Sequence, residues 1–146
     1  MARVKVEYVN LRQAGANLEQ AAARLAARHW AAGQRVLILA AGPAQAELLD
    51  RTLWNYEQNS FLPHARAGGA DQEQEPILIA TEQTNPNQAP VLISAAPLAS
   101  MPCDDFEHLV QLLPLDDEAG LQLCRDCYKA LNQAGQVDLS HTTSLA

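Results

Sequence analysis

Arg35-Val36-Leu37-Ile38-Leu39-Ala40 decides the fold. It is a continuous apolar run of strand length, with no polar residue on every second position. Such a run suits a central strand covered on both faces, whereas a half-solvated strand alternates. Two more runs of the same kind follow, Ile77-Leu78-Ile79-Ala80 and Val91-Leu92-Ile93-Ser94. His108-Leu109-Val110-Gln111-Leu112-Leu113 is a further strand, stopped at Pro114. Strands buried on both faces need helices above and below them.

The helices are marked by their ends. Asn17 reads as an N-cap with Gln20 at the capping-box position. The helix it opens runs to about Ala32 and stops at Gly33. Leu18, Ala22, Leu25 and His29 share one face of it, widened by Ala26 and Trp30. Gly42-Pro43 opens a second helix, which carries Leu48, Leu49 and Leu53 and ends near Trp54. Asp116, Asp117 and Glu118 begin a third, where acids suit the helix dipole, and it ends at Gly135. Val4, Val6 and Tyr8 alternate with Lys5 and Glu7, as in an edge or half-buried first strand. Residues 65–75 read as a loop and 84–88 as a turn. The expected architecture is one α/β domain over residues 1–135. It has three layers, α/β/α, with a mostly parallel central sheet of about five strands, and is Rossmann-like. Residues 136–146 are expected to form a flexible tail.

No nucleotide site accompanies that architecture. The loop Ala40-Ala41-Gly42-Pro43-Ala44 has one glycine and no Lys-Ser/Thr, so it matches neither a dinucleotide fingerprint nor a phosphate loop. His29, His64, His108 and His141 lack ligand spacing, and no His-Glu-x-x-His occurs. Cys124-Arg125-Asp126-Cys127 lies in mid-helix, away from the N-terminal position that activates a redox thiol, and no second cysteine pair completes a zinc site. The acidic pairs Asp104-Asp105 and Asp116-Asp117 fit helix starts. Neither a catalytic residue, a cofactor nor a metal is expected. The competing reading is a small α/β enzyme or nucleotide-binding protein with a degenerate site.

The totals agree with a binding role. A chain of 146 residues buries about two-thirds of its unfolded surface without staples. The formal charge of −7 argues against direct nucleic-acid binding, which phosphate neutralisation drives. No run is long and apolar enough to span a membrane, and three cysteines do not suggest a disulfide framework, so the cytoplasm is the expected location.

Two stretches are left over. Leu53-Trp54-Asn55-Tyr56, continuing to Phe61-Leu62-Pro63-His64, places large apolar side chains where much of the chain should lie at the surface. On the last helix, Leu123, Cys124, Cys127, Ala130, Leu131 and Ala134 gather on one side. Opposite them lie Arg125, Tyr128, Lys129 and Asn132, with Leu121 beside. Two cations next to an aromatic and an aliphatic suit an acidic peptide with an apolar end.

These residues resemble a family. Arg28-His29-Trp30-Ala31-Ala32-Gly33-Gln34-Arg35-Val36-Leu37-Ile38, Leu49-Asp50-Arg51-Thr52-Leu53-Trp54, Ser60-Phe61-Leu62-Pro63-His64 and Arg125-Asp126-Cys127-Tyr128-Lys129 are similar, in order and spacing, to the chi subunit of bacterial DNA polymerase III. The match is weak between about Arg66 and Pro90. The resemblance implies a non-catalytic adaptor of the clamp-loader complex. It would bind the psi subunit and the acidic C-terminal tail of single-stranded-DNA-binding protein, and reach nucleic acid only indirectly. The resemblance assigns the tail to Arg125, Tyr128 and Lys129, with Leu121 beside them. It assigns psi to Trp54 and Phe61, with Pro63 and His64 in the same motif. Family members carry a basic residue where this chain has Asn132.

Overall fold

The computed structural model describes residues 3–12, 16–56 and 62–143. Its centre is strand β2 (Val36–Leu39), all four residues buried. β2 lies between β4 (Ile77–Ala80) and β5 (Val91–Ser94), with Val36 opposite both Ile77 and Val91. The sheet extends outward through β3 (His64–Arg66) on one side. On the other it continues through β6 (His108–Leu112), β1 (Lys5–Val9) and β7 (Asp138–Thr142). The order is β3-β4-β2-β5-β6-β1-β7 and every pairing is parallel.

Helices α1 (Leu18–Ala31) and α2 (Pro43–Trp54) cover one face. Their Ala22, Ala26, Leu49 and Leu53 pack with Val36, Ile38, Ile79 and Ile93. The opposite face packs Val6, Tyr8, Leu37 and Leu109 with Phe106 and with Cys124 of α3 (Glu118–Ala134). Side chains alternate between the two layers because successive strand residues point to opposite faces. This is the expected three-layer α/β/α arrangement.

The capping box on α1 forms as read. Asn17 Oδ1 accepts from Gln20 N at 2.8 Å, and Gln20 Oε1 accepts from Asn17 N at 3.1 Å. Gly33 (φ 83°) and Gly135 (φ 64°) take the left-handed conformation at the ends of α1 and α3.

The sheet differs from expectation at its edges. Among the described residues it has seven strands, because β3 and β7 join the five anticipated runs. β3 takes up the start of the expected 65–75 loop. β7 lies within the segment read as a tail, pairing Lys5 with Asp138 through to Val9 with Thr142. Its sequence, Asp-Leu-Ser-His-Thr, is polar because only one edge and part of one face are covered. β1 is therefore an interior strand, with Val6, Tyr8 and Val9 buried. Trp30 does not extend the buried face of α1; it is 39% exposed.

Candidate functional site

Helix α3 is held in place at both ends. At its start, the Asp117 carboxylate accepts from Gly120 N at 3.0 Å. A Cβ at position 120 would collide with that carboxylate and come within 3.0 Å of the Pro97 ring, so glycine is required there. At its end, Arg3 Nη2 donates to the carbonyls of Gly135 (2.6 Å) and Val137 (2.9 Å), fixing the turn into β7. The buried line of α3 runs through Gly120, Cys124 and Cys127, with Leu121, Tyr128 and Leu131 partly covered.

That line corrects the expected helix phase. Leu123 is 42% exposed, and Ala130 and Ala134 face solvent. The buried stripe is rotated roughly 50° toward Tyr128. The cause is Tyr8 of β1, 2% exposed, whose ring meets that of Tyr128 edge to face at 5.2 Å and 83°. Tyr128 therefore rolls inward instead of standing opposite the core.

The roll opens a cleft of about 400 Å³ at the carboxyl ends of β1, β6 and β7. Leu121, Arg125, Tyr128 and Lys129, the four α3 residues singled out in the sequence, all line it. Its apolar floor is completed by Leu113, Leu115 and Cys124. Asn10, Arg12 and His141 come from other elements, and sequence reasoning missed them. Among the described residues no aspartate or glutamate lines the cleft. Neither Arg125 nor Lys129 takes part in an ion pair among the described residues. Asn132 is exposed on α3 and does not line the cleft.

The cysteines belong to the floor and the core. Burial pushes the Cys124 thiol up to about 11, so it stays protonated and unreactive at neutral pH. The Tyr8 phenol is likewise pushed upward, first by burial and then by Cys127. All three cysteines are free, and no group of three or more His, Cys, Asp or Glu among the described residues could hold a metal.

The second stretch lies at the opposite edge of the sheet. Trp54, the last residue of α2, is 55% exposed. Its ring meets that of His64 at 4.8 Å and 65°. One hydrogen bond holds His64, and a carboxylate lies beside its other ring nitrogen. Its Nδ1 lies 2.6 Å from the Leu62 carbonyl, and its Nε2 lies 3.0 Å from Asp50 Oδ1 of α2. A carbonyl only accepts, so Nδ1 is the donor. The His64 side chain is 1% exposed and packs against the Trp54 ring. Pro63 is half-buried, Leu62 is buried, and Phe61 lies outside the described residues. The structure thus brings Trp54 and His64 together, and sets both far from Arg125, Tyr128 and Lys129.

The chain is similar along most of its length to known proteins. The family pattern described as DNA polymerase III chi subunit, HolC, matches residues 2–137. The DNA polymerase III subunit chi of Escherichia coli (strain K12) is 34% identical over 119 residues, covering 81% of this chain and 80% of that protein. The subunit chi of Haemophilus influenzae is 31% identical over 136 residues, covering 92% and 94%. That of Pseudomonas aeruginosa is 27% identical over 116 residues, covering 80% of each. The chain therefore belongs to the DNA polymerase III chi subunit family, an accessory subunit of the replicase and not a catalytic one.

Proposed function

We propose that this chain is a replisome adaptor with two docking surfaces. The cleft beneath α3 holds the acidic C-terminal tail of single-stranded-DNA-binding protein. Arg125 and Lys129 bind its carboxylates, while Leu121 and Tyr128 receive its apolar terminal side chain. The region around Trp54, Pro63 and His64 docks the psi subunit, with Phe61 of the same motif taking part. The adaptor works in the bacterial cytoplasm. It reaches DNA only through its partners, so the replicase is linked to coated lagging-strand template.

The observation that carries the reading is the charge of the cleft. In a chain of formal charge −7, cations collect around an apolar floor, and among the described residues no Asp or Glu side chain lines it. An acidic ligand with an apolar end meets both features at once. A nucleotide would need a phosphate cradle, and the Ala40–Ala44 loop offers none.

The test is a calorimetric titration with a synthetic peptide of several aspartates ending in Phe with a free carboxylate. Lys129→Glu is expected to abolish binding and leave the circular dichroism spectrum unchanged. Affinity should also fall as salt is raised, because exposed ion pairs are screened over about 10 Å at 0.1 M. Undiminished binding by Lys129→Glu would remove this site assignment.

A further inference from the structure

The cations of the cleft do not all come from α3. Arg12 lines it as well, from the segment that follows β1. Arg125 and Lys129 stand on the helix, so Arg12 supplies charge from a different wall. Its backbone position is set by a short relay. Thr142, the last residue of β7, accepts at its carbonyl from Asn10 N at 2.9 Å. Asn10 Oδ1 then accepts from Arg12 N at 2.9 Å. Such an Asx turn holds the two residues after the asparagine in a defined path. Among the described residues the Arg12 guanidinium has no ion-pair partner. It is therefore a cation lining a cleft in which no Asp or Glu side chain stands among the described residues.

We propose that Arg12 is a third carboxylate-binding residue of this cleft, positioned by β7 through Asn10. The proposal rests on the peptide-binding reading above. It adds that the ligand is gripped from two walls, so an acidic segment crosses from α3 to the end of β1 instead of lying along the helix alone. A guanidinium fits this task because its planar fork can take a carboxylate with two hydrogen bonds.

The experiment uses the full chain and the same Asp-rich, Phe-ended peptide. Arg12→Glu is expected to weaken binding about tenfold, since it removes one exposed ion pair and adds a repulsion. Arg12→Lys should recover part of that loss. Arg24→Glu, an identical charge change on the exposed face of α1, is the control for net charge and should change affinity less than twofold. Asn10→Ala keeps the guanidinium but removes the turn, and should give an intermediate loss. Thermal unfolding of each variant confirms that it is folded. If Arg12→Glu binds like Arg24→Glu while Lys129→Glu does not bind, Arg12 has no such role and the α3 site stands. If the unaltered chain itself fails to bind, both the site and the role of Arg12 are lost.

Discussion

Glu7 and His29 form a titrating pair of neighbours on the α1 side of the sheet. Glu7 Oε1 lies 3.2 Å from His108 Nε2, and the His29 and His108 rings meet at 5.1 Å. The hydrogen bond to His108 holds the Glu7 carboxyl below its ordinary value of 4.5. Burial lowers His29 below 6.5, against the opposing hydrogen bond from Nδ1 to Gln34 Oε1 at 2.8 Å. Both folded values are depressed, so the unfolded chain binds more protons at low pH. The stability that each group contributes is then present above its ordinary value and lost as pH falls through the folded one. The unfolding free energy should decline from just below pH 6.5, through His29, and again below pH 4.5, through Glu7. Urea midpoints at pH 7, 5.5 and 4 would show it, and His29→Gln should flatten the first step. A midpoint constant from pH 7 to 4 would contradict this. At this scale the sequence is least explicit. Nothing in a single chain ties His29 to His108, places the His64 side chain against Trp54, or connects residue 12 with residue 125. These pairings exist only once distant elements pack.

The elements were largely readable because their signals are local. The capping box at Asn17 and Gln20 lies within four residues, and the buried parallel strands announce themselves as unbroken apolar runs. Three elements were misread: β3, which is only three residues long, β7 and the phase of α3. β7 is a polar edge strand, and its only pairing partner lies more than a hundred residues earlier. On α3, apolar residues exceed what one face needs, so helical spacing alone left the phase open until Tyr8 fixed it. The start of α3 is the sensitive point. Gly120→Ala should disrupt the Asp117 cap and press on Pro97, costing about 1–2 kcal/mol as cap losses do. Chemical denaturation would measure this. The same variant should weaken peptide binding, because Leu121 and Cys124 stand directly after the disturbed turn. An unchanged midpoint would show that Asp117 moves aside without cost.

At the scale of the molecule, the strand order separates the two proposed docking surfaces. His64 begins β3 at one edge, and His141 lies on β7 at the other. Seven strands about 4.8 Å apart place these edges roughly 29 Å from one another. α2 and α3 also lie on opposite faces of the sheet. Partners at the two places should therefore bind without competition. Trp54→Ala is expected to release psi and leave peptide affinity within twofold, and Lys129→Glu to do the reverse, since sites this far apart with no shared contacts behave additively. A titration of peptide into the psi complex with a clearly altered affinity would show that the sheet couples them.

The same strand order governs how the molecule comes into being. β1 precedes β2 to β7 in the chain, yet among the described residues it pairs only with β6 and β7, so Lys5 must await His108 and then Asp138. β3, β4, β2 and β5 lie side by side in that order and can associate while later segments are still being synthesised. Closing the long loop to β1 is the entropically expensive and slow step. During translation the Trp54 edge can therefore take shape early. The cleft draws its walls from residues 12 and 141, and it cannot exist until residue 141 has been made.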